Sequence, residues 1–198
     1  MTVSIDMSGK VAIITGGTKG VGAGIARGFL QAGATVVVCG RNEPEQLPTF
    51  EGNTAHFRSV DVRDADAANA FVDEVAATFG RLDVLINNAG GAPHVDAATA
   101  SPRFSEAIIK LNLIAPINLA QAANRIMQQQ EPGSSIISIA SVSAIRPSPG
   151  TAAYGAAKAG LVNLATSLAV EWAPKVRINT VIAGLIQTEQ AHLHYGDD

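Results

Sequence analysis

The sequence is poor in the groups that several functions would require. It contains one cysteine, Cys39. An intrachain disulfide is therefore impossible, and a lone Cys inside an apolar run reads as a buried core thiol in a reducing compartment. Charged residues make up only 16% and the formal net charge is −3. No basic cluster is longer than a residue pair, which argues against nucleic acid as a partner. No apolar run approaches the ~20 residues that span a bilayer. Met1 to Lys10 has neither a positively charged start nor an apolar stretch of signal-peptide length, so a cytoplasmic protein with no membrane partner is expected. There is no Gly-x-Ser-x-Gly elbow and no Walker lysine. His56 and His94 are isolated. His192 and His194 lack a cysteine or carboxylate cluster at ligand spacing, so they read as solvated side chains and no metal is expected.

What the chain does have is apolar bulk. Hydrophobic residues are 47% of 198, enough for one domain with a sizeable core and too many for a disordered segment. They occur as short runs bounded by turn formers. Residues 11–15, 35–39, 55–60, 84–87, 135–139 and 176–182 read as strands. Between them, residues 23–32, 65–79, 104–129 and 154–172 read as helices. Phe71, Val72, Val75 and Phe79 keep helical spacing. Pro116 should interrupt or kink the third helix, and Pro174 forbids continuation of the last. Gly33 suits a helix C-terminus. Strands alternating with helices imply an α/β fold: a Rossmann-like, doubly wound parallel sheet in a three-layer αβα sandwich, spanning residues 1–198 as one domain. One link is irregular. Pro44 and Pro48 leave room for about one helical turn between the second and third strands.

The first strand runs into Thr15-Gly16-Gly17-Thr18-Lys19-Gly20-Val21-Gly22. Glycines in such a turn let the backbone bend tightly, approach a pyrophosphate and pack the helix on the sheet. The helix N-terminus then presents unpaired N–H groups and partial positive charge to phosphate. At the end of the second strand, where an acid would bond a ribose 2′-hydroxyl, the chain has Gly40 and Arg41. Arg41 can grip a 2′-phosphate, with Lys19 as a second cation. It can also stack on an adenine and serve either cofactor.

These residues resemble the short-chain dehydrogenase/reductase family. Thr-Gly-x-x-x-Gly-x-Gly is that family's glycine spacing. Asn87-Asn88-Ala89-Gly90 matches its Asn-Asn-Ala-Gly motif, and Asp61-Val62 its adenine-contacting pair. The resemblance runs from about residue 9 to about residue 188. It implies a catalytic tetrad of Asn112, Ser141, Tyr154 and Lys158, with the family's Ser–Tyr spacing. Tyr154 would be the acid/base in hydride transfer between a nicotinamide and a carbonyl or secondary alcohol. Its free pKa of ~10 would be lowered by the Lys158 ammonium and the oxidised nicotinamide. Ser141 would hold the substrate oxygen, Lys158 the nicotinamide ribose, and Asn112 a water that relays protons from the lysine.

The resemblance further implies dinucleotide contacts at Gly16, Thr18, Lys19, Gly20, Val21, Gly22, Arg41, Asp61, Val62, Asn88, Ala89 and Gly90, and again at Tyr154, Lys158, Gly184, Ile186 and Thr188. Both Lys19 and Arg41 point to NADP(H), with NAD(H) the alternative. A homodimer or homotetramer is expected through the apolar last helix and the one carrying Asn112.

Two departures stand out. The family's Pro-Gly after the sixth strand is Ala183-Gly184 here. Compared with the family, the chain is expected to lack a C-terminal substrate loop and a seventh strand, which would leave residues 176–182 an exposed apolar edge. The expected substrate site is flanked by Ala92, Pro93, Val95, Val142, Ala144, Ile145 and Ile186, and His94 stands near its mouth. That lining favours an aliphatic or alicyclic ketone or alcohol over a sugar. The residues do not choose between a 3-oxoacyl thioester and a steroid-like alcohol, and a catalytically silent dinucleotide sensor or scaffold is the alternative from another functional class.

Overall fold

The computed structural model describes residues 5–189. Its centre is a parallel sheet of six strands in the order β5-β2-β1-β6-β7-β8, formed by β1 (Val11–Thr15), β2 (Thr35–Gly40), β5 (His56–Ser59), β6 (Val84–Asn87), β7 (Ser134–Ser141) and β8 (Val176–Ala183). Each strand lies within about a residue or two of its expected position, and the doubly wound α/β architecture is the one the sequence implies. β1 is fully buried along its length, because helices cover both faces of the sheet at its centre. On one face α1 (Gly20–Gln31) packs Ala26 and Leu30 against Ile14, Val36, Val38 and Ile86. On the other, α2 (Ala65–Phe79) and α4 (Ala115–Met127) pack Phe71, Val75, Leu119 and Met127 against Ile13, Leu85 and Ile136. Each fully buried Ile or Leu contributes roughly 1.5–3 kcal/mol relative to exposure.

The helix boundaries follow local chemistry. Asp64 caps α2, its carboxylate accepting from the Asp66 and Ala67 N–H groups, and Gly80 closes the helix in the left-handed conformation. Ser101 caps α3 (Pro102–Ile109) through the Phe104 N–H. The expected kink before Pro116 is a π turn over Lys110–Ile114, which joins α3 to α4. α5 (Ala152–Trp172) begins two residues before its expected start and stops ahead of Pro174. α1 begins earlier than expected, at Gly20, so the last glycines of the turn form its first helical residues.

The link with two prolines differs from expectation. Residues 41–48 contain no helical turn. They lead into a two-strand hairpin, β3 (Thr49–Phe50) with β4 (Asn53–Thr54). Glu51 (φ 47°) and Gly52 (φ 85°) form the turn in the left-handed region that primed hairpin turns require. The Glu-Gly pair is not the usual Asn-Gly signal, which is why a reading of turn residues misses it.

At the opposite end of the sheet from the glycine-rich turn, Asp83 ties together the starts of the two central strands, β1 and β6. It accepts from the Val11 N–H (2.9 Å), Lys10 Nζ (3.2 Å) and Arg81 Nε and Nη2 (2.7 and 2.6 Å). Burial alone would raise its pKa. The bonds from Arg81, Val11 and Lys10 outweigh that and hold the carboxyl below its ordinary value. The group therefore stabilises the fold above its unfolded-state pKa, and that contribution fades as pH falls through the lowered one. Among the described residues β8 is an edge strand, with Val181 and Ile182 exposed.

Candidate active site

β1 and β6 are neighbours at the centre of the sheet, and the chain winds away from them in opposite directions. A crevice must open beyond their carboxyl ends. The structure has a cleft of about 780 Å³ there. Every residue nominated from the sequence for dinucleotide contact lines it, from Gly16 at one wall to Thr188 at the other. Of the proposed tetrad, Ser141, Tyr154 and Lys158 also line it, whereas Asn112 lies behind the wall, fully buried.

The turn is held by side chains from across the sheet. Thr15 Oγ1 accepts from the Asn88 and Ala89 N–H groups (3.0 Å each). The Asn88 amide donates to the Thr15 and Gly16 carbonyls (2.9 and 3.2 Å). Asn88 thus locks the cradle, a structural role its motif position alone does not disclose. The packing leaves no room for a methyl group: a Cβ at Gly22 would lie 2.3 Å from the Gly16 oxygen and 2.5 Å from Asn88 Nδ2. α1 has no side-chain cap from its own N-cap residue and no acid in its first turn, and its N-terminal residues line the cleft. A glycine cradle of this kind beside an uncapped helix fits a pyrophosphate.

At the far end of the cleft stand Lys19, Arg41, Glu43, Asp61 and Arg63. Arg63, which sequence reasoning missed, grips Asp61 with two nitrogens (2.9 and 2.5 Å). That pairing, aided by the Arg63 N–H and by nearby Arg41, lowers the Asp61 pKa to about 2. Arg63 sits only two residues after Asp61 in a turn, and nothing in the spacing marks it as a partner. With Asp61 and Arg63 neutralising one another, the remaining charges are two cations and Glu43. Val62 is a core residue as well as a lining residue. Cys39, at the end of β2, is fully buried, and burial pushes its thiol up to about 12, so it is inert.

At the other end, Ser141 is the last residue of β7. Its Oγ accepts from the Ser143 N–H (3.2 Å). Tyr154 and Lys158 lie one turn apart on α5, with the ammonium 5.5 Å from the phenol ring centroid. Lys158 is 3% exposed and donates to the Ile139 carbonyl (2.8 Å). Burial lowers its pKa to about 8, which still leaves it mostly cationic at pH 7. Asn112 sits in the π turn, a distortion that often marks functional positions. Its Nδ2 donates to the Gly91 and Ile108 carbonyls (3.0 and 2.9 Å), and its Oδ1 accepts from the Gly91 N–H (2.9 Å). Gly90 lies so close that a Cβ there would be 2.6 Å from Asn112 Oδ1 and 3.2 Å from Lys158 Nζ. The Asn-Asn-Ala-Gly segment, the π turn and α5 thus converge on the lysine.

Tyr154 also lines a second cavity, of about 350 Å³. Ala92, Pro93 and Val95 border it as expected. Val142, Ala144 and Ile145 do not, and Ile186 lines the larger cleft instead. α3 and the start of α5 supply the rest, chiefly Phe104, Ile108 and Ala153, and no charged side chain borders it. His94 packs across Gly150, and the Val95 N–H donates to the Gly150 carbonyl (2.8 Å), so the two loops close over each other there. His192 and His194 lie outside the described residues. No group of metal-binding side chains occurs among the described residues, and no helix there is long and apolar enough to cross a membrane.

The family profile described as short chain dehydrogenase matches residues 10–195. The chain is 35% identical over 187 residues to the 3-oxoacyl-[acyl-carrier-protein] reductase of Chlamydia muridarum, covering 91% of this chain and 75% of that one. It is 34% identical over 193 residues to D-threitol dehydrogenase of Mycolicibacterium smegmatis, covering 94% and 74%. Among solved structures, the aldohexose dehydrogenase of Thermoplasma acidophilum superposes with a TM-score of 0.87 at 28% identity, covering 98% and 74%.

Proposed function

The chain belongs to the short-chain dehydrogenase family, whose members are NAD(P)-dependent oxidoreductases, and from that premise we propose that it interconverts a small apolar ketone and its secondary alcohol, using NADPH in preference to NADH. The observation that carries the proposal is the meeting of two cavities at Tyr154: the cleft lined by the glycine-rich turn on one side and an uncharged pocket on the other. When bound, the nicotinamide supplies the hydride to the carbonyl carbon. The chain does the rest. Tyr154 gives its phenolic proton to the carbonyl oxygen, and Ser141 Oγ holds that oxygen in place. The Lys158 ammonium favours the phenolate left behind and holds the nicotinamide ribose. Asn112 acts as a positioning residue, since its bonds to Gly91 fix the segment against which Lys158 packs. The relatives named above act on an acyl thioester, a polyol and a sugar, so the substrate class rests on this chain's own pocket. Its volume of about 350 Å³ suits a branched or monocyclic hydrocarbon group.

NADPH preference rests on Lys19 and Arg41, opposed by Glu43. A well-formed charge-assisted contact contributes ~1.5–3 kcal/mol, or about one to two decades in affinity, which exposure and salt reduce. A panel of alicyclic, branched and polyhydroxylated carbonyls, assayed with both cofactors, tests the whole reading. The expected result is highest kcat/KM for apolar ketones with NADPH, and a selective loss of NADPH efficiency in Arg41→Ala that shrinks at high salt. Equal losses with both cofactors would mean that Arg41 stacks on the adenine. A wild type that prefers NADH or sugars would refute the assignment.

Family members commonly assemble, and α5 supports a homodimer or homotetramer here, since Val162, Leu164 and Leu168 are only partly buried and Val170 is 82% exposed. Light scattering should give a multiple of the 20.3 kDa chain mass. A folded monomer at micromolar concentration would contradict this.

A further inference from the structure

The N-terminus of α1 has no cap of its own, yet its first N–H is not without a partner. Gly20 N–H donates to Glu189 Oε1 at 2.7 Å, a contact between residues 169 positions apart. Thr188 lies against the same glycine: a Cβ there would come within 3.8 Å of its methyl and 4.0 Å of the Glu189 oxygen. The field at the helix terminus, together with Lys19 and Arg27, favours a carboxylate at this point. It favours a phosphate for the same reason.

We propose that Glu189 is a resident competitor for the cofactor's pyrophosphate: its carboxylate takes the α1 N-terminal donor and must leave before a phosphate oxygen can use it. One N–H cannot serve two anions well, and a carboxylate beside a pyrophosphate adds like-charge repulsion. Glu189 therefore sets cofactor affinity below what the glycine cradle alone would give. It also couples the segment after β8, which lines the nicotinamide end of the cleft through Ile186 and Thr188, to the arrival of the dinucleotide. A protein whose binding-competent state is only fractionally populated binds its ligand more weakly by that fraction.

This inference rests on reading the cleft as a dinucleotide site. The test is equilibrium binding, followed by nicotinamide fluorescence for NADPH and NADH and by calorimetry for adenosine 2′-monophosphate, in wild type, Glu189→Gln and Glu189→Ala, with melting curves as the folding control. Both variants should bind NADPH and NADH more tightly, by about three- to tenfold and by the same factor, because the two share the pyrophosphate. The gain should shrink at high salt. Adenosine 2′-monophosphate, which lacks the pyrophosphate, should bind unchanged. Unchanged or weakened dinucleotide binding in folded variants would overturn the proposal, since Glu189 would then be either idle or a cofactor ligand. A wild type that binds neither dinucleotide would overturn the reading of the cleft, and this inference with it.

Discussion

Tyr154→Phe should lower kcat by about 10²- to 10⁴-fold, the usual contribution of a positioned acid or base, while the dissociation constants for NADPH and NADH stay within about twofold of wild type. The substitution removes one oxygen and keeps the ring that borders both cavities, so packing at the junction persists. The two quantities separate because the phenol acts on a proton at the substrate oxygen and not on the dinucleotide. Steady-state kinetics and fluorescence titration on the same preparation check both halves. Activity within a few-fold of wild type would remove Tyr154 as the acid/base. A parallel collapse of cofactor binding would make it structural.

Lys158→Met should also abolish most turnover, and it should make the protein more stable at pH 7. Burial depresses the pKa of Lys158 from 10.5 to about 8. A lysine with a lowered folded-state pKa opposes folding below both values, because the unfolded chain holds the proton more tightly. The penalty at pH 7 is about 3 kcal/mol. Wild-type stability should rise between pH 8 and pH 10.5, where the unfolded state binds more protons, and level off above that window. Methionine fills a similar volume without the charge, but it deprives the Ile139 carbonyl of its 2.8 Å donor. That loss returns ~1–3 kcal/mol. A net gain of up to ~2 kcal/mol at pH 7 is expected, or a melting temperature higher by up to about 8 °C. Near pH 11 the advantage should vanish or reverse, since the wild-type lysine is then neutral in both states. Denaturant melts at the two pH values measure this. A variant less stable at pH 7 would mean that the ammonium holds the fold together rather than straining it for catalysis.

Much of this was legible in the sequence, because the strands carry their own signature. Val11-Ala-Ile-Ile-Thr15 and Val84-Leu-Ile-Asn87 are continuous apolar runs because both faces of a central parallel strand are covered, and their neighbouring places in the sheet fix where the cleft opens. The residues that the motifs nominate for the dinucleotide come together at that cleft for the same reason. What stayed hidden depends on contacts between distant segments or on backbone atoms. The Ile139 carbonyl under Lys158, the Asn88 amide beneath the glycine turn and the Glu189 carboxylate on α1 leave no mark on local composition. Arg63 is invisible because a bidentate pair two residues apart needs a particular turn. The hairpin after Pro48 was masked by a turn whose left-handed positions are held by Glu51 and Gly52. The substrate pocket was only partly readable. Ala92, Pro93 and Val95 border it as expected, but its other wall comes from α3 and the start of α5, not from the segment after β7.

The central claim is that hydride passes from a nicotinamide to an apolar carbonyl at Tyr154. Single turnover of the wild type with NADPH deuterated at the nicotinamide C4, first on one face and then on the other, in the presence of the best alicyclic ketone, tests it most directly. The expected outcome is one deuterium at the carbinol carbon of the alcohol from one labelled face and none from the other. NADP⁺ should form in equal amount, and both products should fall together in Tyr154→Phe. Tight NADPH binding with no deuterium transfer to any carbonyl of the panel would contradict the account and mark the chain as a dinucleotide sensor.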